Sequence, residues 1–294
     1  MLHPRFATHL EQRFTDFFQE QTAIYDYTPV QGGDINQVFM LETGKGKFLV
    51  KVNAALFGPD MFEKEARGLI ALADTDCIKV PRPLFDGKYH QQIFLVMEYI
   101  DKGTPSGNFW NDFGKRLACL HHQEGDHYGL GYPNYIGRLV QPNDAHDNWA
   151  GFYAQERILN FSAKAAAKGL LDTGHLSAIE KLAAKFADIF PVEKLSLLHG
   201  DLWSGNFMVA SDGLAAIYDP AIYYGHREMD IAMTLLFGGF DREFYDAYHY
   251  HFPLQSGWET RVELCQLYPL LVHLLLFGGH YRSSVIEIIR KYAT

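Results

Sequence analysis

Hydrophobic and polar residues follow two different periods along this chain, and the change falls near residue 100. Over residues 5–20, Phe6, Leu10, Phe14, Phe17 and Phe18 recur at helical spacing, with Glu11, Gln12, Asp16 and Gln19 on the other face. This predicts a packing helix with no chemistry of its own. Ile24–Val30 reads as a strand, Gln31–Gln37 as a turn with two glycines, and Val38–Leu41 as the return strand. Phe48–Val52 is a further strand with one lysine, Lys51, inside it. Phe62–Leu72 predicts a helix, which the prolines of Cys77–Pro83 keep from continuing. Gln92–Met97 is an apolar strand that runs into Glu98-Tyr99-Ile100 and then Asp101-Lys102-Gly103, a natural hinge. From residue 104 the pattern turns helical: Gly107–His122, Asp147–Lys168 and residues 175–189 predict amphipathic helices. Between the first two, Tyr128–Asn143 is an aperiodic loop rich in glycine and aromatics, a kind of loop that is often functional. Leu195–Leu198, Phe207–Val209 and Leu214–Tyr218 are short runs of strand type, and helices opening at Asp230, Phe244, Glu259 and Tyr281 complete the chain. No repeat, linker or low-complexity tract is visible. The expectation is an α+β chain of two lobes. Residues 1–100 form an antiparallel-sheet lobe with one key helix, and residues 101–294 a mainly helical lobe.

Composition narrows the class. The 294 residues are 48% hydrophobic and rich in aromatics, with 22 Phe, 17 Tyr and 4 Trp, so a sizeable core is expected and disorder is not. The net charge is −9 and no lysine-arginine block occurs, which argues against nucleic acid as a partner. An acidic protein can still bind nucleotide, because a cation and a few local charges set the potential at the site. Cys77, Cys119 and Cys265 are widely spaced, without CxxC or zinc-ligand spacing. They read as buried small residues in a reducing compartment. Met1–Arg5 lacks the apolar core of a signal peptide. The longest apolar run, Leu264–Gly278, contains Gln266, Pro269 and His273 and falls short of a membrane span of about 20 residues, so it reads as a buried helix. No membrane partner is expected, and a cytoplasmic location is.

The chemistry concentrates in Leu198-His199-Gly200-Asp201-Leu202-Trp203-Ser204-Gly205-Asn206 and in Ala216-Ile217-Tyr218-Asp219-Pro220. An aspartate, an asparagine five residues on and a second aspartate thirteen residues later have the spacing of a phosphotransferase loop and its metal-binding aspartate. Asp201 is the candidate base for an attacking hydroxyl; Asn206 and Asp219 are the candidate magnesium ligands. Lys51 followed by a glutamate on the next helix is an arrangement that orients a lysine toward nucleotide phosphates. Glu65 is preferred as its partner, since Phe62, Ala66 and Leu69 share its side of the helix; Glu63 competes. The turn Gly32, Gly33, Asp34, Ile35 and Asn36 is the candidate phosphate cover, because glycine lets backbone N–H groups approach oxygens unobstructed. By position alone, backbone groups of Met97, Glu98, Tyr99 and Ile100 are candidates for reading an adenine edge. Trp203, His199 and Asp230 are the candidate substrate contacts, with a core role the competing reading for Trp203 and helix capping for Asp230. His121 and His122 lack a third residue at ligand spacing, and capping or core roles are expected of them.

Lys51, Glu65, Asp201, Asn206 and Asp219, in that order, resemble the protein-kinase-like fold. His199-Gly200-Asp201 has glycine where protein kinases usually carry arginine, Asp219 is followed by Pro220, and no Ala-Pro-Glu segment is visible, as in the small-molecule branch with aminoglycoside and choline kinases. Within it, the Asp201–Asn206 run, Asp219-Pro220-Ala221, Tyr224–Met233, Tyr135-Ile136-Gly137, Leu267–His273 and Phe277–Tyr281 resemble the fructosamine/ketosamine kinase family over essentially the whole chain. The resemblance implies ATP and Mg2+ as cofactors. It also implies a ketosamine substrate, free or protein-bound, phosphorylated on its sugar to a labile adduct that frees the amine, and a monomer or weak homodimer. It further implies that Asp230 braces the catalytic loop. Several relatives carry a cysteine, linked to redox-controlled dimers, where this chain has Asp34, so that regulation is not expected here. Two rivals stand beside this reading: a kinase of another small amine or amino sugar, and a nucleotide-binding regulator without turnover. The complete set of Lys51, Asp201, Asn206 and Asp219 argues against the second.

Overall fold

The computed structural model describes residues 2–30 and 36–292. The chain divides into two compact units, Met1–Gly107 with Met208–Tyr218, and Asn108–Phe207 with Asp219–Thr294.

The first unit opens with α1 (Pro4–Phe18), whose Pro4 starts the helix while the His3 side chain accepts from the Arg5 N–H. Next come β1 (Ile24–Pro29), β2 (Gln37–Thr43), β3 (Gly46–Ala54), α2 (Met61–Ala73), β4 (Pro83–Tyr89) and β5 (Gln92–Glu98). The strands form one antiparallel sheet in the order β1-β2-β3-β5-β4. Strand alternation decides what lies on each face. Phe48, Val50 and Val52 of β3 join Phe6, Leu10 and Phe14 of α1 in one cluster, with the Phe14 and Phe48 rings 5.0 Å apart. Each such buried side chain contributes about 1.5–3 kcal/mol. Leu49, Lys51 and Asn53 therefore point to the opposite face, the side on which α2 packs its buried Phe62, Ala66 and Leu69. Ile93–Met97 of β5 is buried on both faces, which is why it reads as an unbroken apolar run.

The second unit holds α3 (Phe109–His121), a hairpin of β6 (Asn134–Ile136) and β7 (Leu139–Gln141), and α4 (Trp149–Phe152). The last passes through a π-helical stretch, Tyr153–Leu159, into α5 (Asn160–Ala167). Then follow α6 (Thr173–Ala183), α7 (Phe186–Ile189), β8 (Ser196–Leu198), β9 (Phe207–Val209), β10 (Ala215–Ile217), β11 (Tyr223–Gly225), α8 (Glu228–Leu236), α9 (Arg242–His251), α10 (Trp258–Phe277) and α11 (Arg282–Tyr292). The β9–β10 hairpin returns to the first unit: Lys102 bridges Ala210, Lys79 bridges Ala216, and Lys79 pairs with Asp212. Nothing in the local pattern announces that return.

Two expectations change. The loop 128–143 contains the β6–β7 hairpin, whose three-residue strands are too short to show alternation. The apolar run near the C-terminus belongs to a longer helix, α10, which has the length and composition to cross a membrane, yet most of its apolar stretch is buried inside the protein. Cys265 is buried and free.

Candidate active site

In the first unit, Lys51 donates to Glu65 across 2.5 Å, with side chains only 6% and 13% exposed. The sheet face and α2 together remove the pair from water, so the pairing offsets the cost of burying the two charges. Glu63 lies on the outer face of α2 and pairs with Arg67 in solvent. Asn53, two residues past Lys51 on the same face, donates to Asn36 Oδ1 at 2.7 Å; sequence reasoning passed over it. Gly32, Gly33, Asp34 and Ile35 lie outside the described residues. Met97 is buried. The Glu98 N–H donates to the Arg82 carbonyl and the Tyr99 N–H to the Lys47 carbonyl. Those two amides are thus occupied within the unit, and Ile100 follows directly.

In the second unit, β8 delivers the chain to His199 and β11 pairs beside it, Tyr223 opposite Leu198. Between them the loop is pinned at several points. Asp230, in the first turn of α8, accepts from the His199 N–H at 2.7 Å and the Gly200 N–H at 2.9 Å. Its own carboxylate faces His121 at 3.2 Å, and His121 meets the Tyr248 hydroxyl at 2.7 Å. Burial keeps His121 below its ordinary pKa, while the hydrogen bonds from His121 and from the Gly200 N–H hold Asp230 low against its own burial. The His199 carbonyl accepts from the Ala221 N–H, and its ring Nδ1 from the Asp201 N–H. Gly200 has φ +82°, and a Cβ there would sit 2.1 Å from the Ala221 carbonyl oxygen. Only glycine fits, which explains the glycine of the His-Gly-Asp run.

The loop then presents Asp201. Asn206 donates through Nδ2 to the Asp201 carbonyl at 2.8 Å and to its Oδ2 at 3.0 Å. That orientation leaves the Asn206 amide oxygen turned away from Asp201. Burial and the neighbouring charge of Asp219 push the Asp201 carboxyl up to about 7, against the pull of the Asn206 hydrogen bond. Asp219 has φ +58°, the left-handed region, and precedes Pro220. Two acids this close, with an amide oxygen at hand, suit a hard divalent cation that keeps part of its shell for water and phosphate. Among the described residues no group of three or more His, Cys, Asp or Glu forms a self-sufficient metal cage.

His199 is fully buried and Asp230 is 1% exposed with its oxygens on loop amides. Both are therefore built into the support of the loop in this structure. Trp203 is half-buried, its ring packed edge-on to Phe237 and folded over Gly205. A small recess lies beside Asp201, bounded among others by Tyr223, Tyr268, Met233 and His273.

The model of the fructosamine kinase family matches residues 6–294. The chain belongs to this family. Its similarity to the chloroplastic protein-ribulosamine 3-kinase of Arabidopsis thaliana is 38% identity over 279 residues, 92% of this chain and 83% of that protein. The crystal structure of a protein from Haemophilus somnus, assigned as a fructosamine-3-kinase, superposes with a TM-score of 0.87 at 29% identity over 96% of each chain. The aminoglycoside phosphotransferase APH(4)-Ia, in ternary complex with ADP and hygromycin B, superposes with a TM-score of 0.64 at 15% identity, over 97% of this chain and 99% of that one. That last likeness concerns the fold alone. This fructosamine kinase family member is thus a phosphotransferase with a protein-kinase-like α+β fold, an antiparallel sheet in the first unit and helices in the second.

Proposed function

We propose that the protein uses ATP to phosphorylate a sugar hydroxyl of ketosamines, of fructosamine or ribulosamine type, as a deglycation step. The observation that carries this reading is Asp201, hydrogen-bonded by Asn206 and raised toward neutrality beside Asp219. A carboxylate whose proton affinity is raised by burial, an effect that persists when a cation offsets the charge of Asp219, is suited to taking a hydroxyl proton. In the proposed reaction the sugar oxygen bonds to the γ-phosphorus of ATP, the bond from that phosphorus to the ADP oxygen breaks, and the hydroxyl proton passes to Asp201. Asn206 and Asp219 would hold magnesium, which when bound neutralises phosphate charge. Lys51, held by Glu65, would bind phosphates, and Gly32–Asn36 would cover them. The Ile100 backbone, next to amides already occupied, is the candidate for the adenine edge. Trp203 would wall the sugar. In such chemistry positioning and charge neutralisation carry most of the rate. The family name and that of the ribulosamine relative support the substrate class. Work in the cytoplasm, where ATP is supplied, and as a monomer or weak homodimer, belong to the same proposal.

The test is magnesium-dependent transfer from ATP to fructosyl-, ribulosyl- and erythrulosyl-lysine analogues, choline and an aminoglycoside, with Asp201→Ala as control. Phosphorylated ketosamine that disappears with Asp201→Ala is the expected result. Transfer only to choline or the aminoglycoside overturns the substrate class. Nucleotide binding with no transfer to anything overturns the enzyme.

A further inference from the structure

We infer that Arg157, acting through Asn143, Asn134 and Gln141, is a positioning residue that fixes the backbone on which Asp219 is mounted. The inference rests on the proposed role of Asp219 as a cation ligand.

Asp219 needs fixing. A non-glycine residue in the left-handed region is held against its own preference, and a residue before proline is pushed toward extended conformations. Such a backbone persists only where its surroundings over-determine it. Immediately after Pro220, the Ala221 carbonyl accepts from Gln141 Nε2 at 3.1 Å and the Ile222 carbonyl from Asn134 Nδ2 at 2.8 Å. The Ala221 N–H is tied to the His199 carbonyl. The strap that follows Asp219 is therefore anchored on both its donor and its acceptor sides.

The direction of every amide in this network follows from two groups. An arginine only donates. Arg157, fully buried in the π-helical stretch, donates to the Pro142 carbonyl and to Asn143 Oδ1, each at 2.5 Å. Asn143 must therefore present its oxygen to Arg157 and its Nδ2 to Asn134 Oδ1, at 2.8 Å. Asn134 must then aim its own Nδ2 at the Ile222 carbonyl. The Tyr268 hydroxyl donates to Gln141 Oε1 at 2.5 Å, which turns Gln141 Nε2 toward Asn134 Oδ1 and the Ala221 carbonyl. Without the donor-only group at the root, only the Tyr132 carbonyl at 3.3 Å and Asn134 Oδ1 hold the direction of the Asn143 amide, and a reversed Asn143 sets oxygen against Asn134 Oδ1, which loosens the amide that holds the Ile222 carbonyl. Burying the guanidinium is costly. Its faces lie 4.2 Å from the Tyr223 ring and 4.6 Å from the Phe152 ring, contacts that offset part of that cost. The π-helical stretch, a feature frequent at functional sites, is what carries Arg157.

The test uses Asn134→Ala, Arg157→Met and Arg157→Lys in the full-length protein. Two readouts need no turnover: hydrogen exchange at the amides of residues 221–225, with α10 as reference, and Mn2+ titration in the presence of ADP. In Asn134→Ala we expect exchange at 221–225 to rise at least tenfold with α10 unchanged, and Mn2+ affinity to fall about tenfold. Arg157→Lys, still donor-only, should recover most of both losses seen in Arg157→Met. In the transfer assay kcat should drop while KM for the ketosamine stays within twofold. Exchange rising equally in α10, or unchanged at 221–225 in Asn134→Ala, overturns the inference even if Arg157→Met fails to fold. If the native protein phosphorylates no ketosamine yet the exchange and Mn2+ effects appear, the proposed substrate fails and the positioning role stands.

Discussion

Asp201→Asn should make this protein more stable while abolishing transfer. The carboxyl stands at about 7 instead of 3.8, because burial and Asp219 both disfavour its charge. Between those two values the folded protein holds a proton that the unfolded chain has released. Stability therefore falls as pH rises through the window and stays reduced above it. The full shift corresponds to roughly 4 kcal/mol. Water reaching the half-buried carboxylate screens this to about 2 kcal/mol. An amide keeps an oxygen for Asn206 Nδ2 and carries no charge, so the variant escapes the penalty. The assay is denaturant unfolding of both proteins in chelator, at about pH 8 and about pH 5, since a bound cation would offset the repulsion. We expect a gain of about 2 kcal/mol at the higher pH, smaller by about a third at the lower, where native Asp201 is mostly protonated. A variant less stable than the native protein at pH 8, or an equal gain at both pH values, would refute the reasoning. Lost transfer alongside gained stability is the trade expected where a site keeps two like charges together.

Other outcomes follow from the same geometry. Gly200→Ala should cost on the order of 3 kcal/mol, from left-handed strain plus the Ala221 clash; thermal unfolding of the variant checks it, and an unchanged midpoint would mean that the loop can be rebuilt around a side chain. Lys51→Met removes the cation that faces the mostly buried Glu65, a loss of about 3 kcal/mol. Arg67→Ala, which opens the exposed pair with Glu63, should stay within about 0.5 kcal/mol. Equal losses in the two variants, read by urea unfolding, would contradict the burial difference between the pairs.

The legible parts of this molecule were those in which a few contiguous residues carry both fold and chemistry. The run from His199 to Asn206 needs fixed residue types at fixed spacing, so it can be read directly. Glu65 was separable from Glu63 because Phe62, Ala66 and Leu69 mark the buried side of α2. What stayed hidden depends on contacts between distant segments. Asn134, Gln141, Asn143 and Arg157 sit in a loop and a helix whose apolar pattern is ordinary, and their meaning appears only when the carbonyls of Ala221 and Ile222 arrive beside them. The return of residues 208–218 to the first unit has no local signature, since Lys79 and Lys102 look like surface lysines. The burial of His199 was not legible, because the chain order places it next to Asp201, while Asp230 draws its backbone inward.

The close approach at Gly200 bears on how such an enzyme can be governed. Protein kinases often order their active state by a phosphorylated segment captured on arginine, and the residue after the loop histidine is where protein kinases usually carry one. Here that position cannot hold a side chain at all, because the Ala221 carbonyl fills the space. No latch for a phosphate mark can be built there, by mutation or by evolution, without first moving the strap that carries Asp219. Control by covalent marking would have to enter elsewhere in the chain.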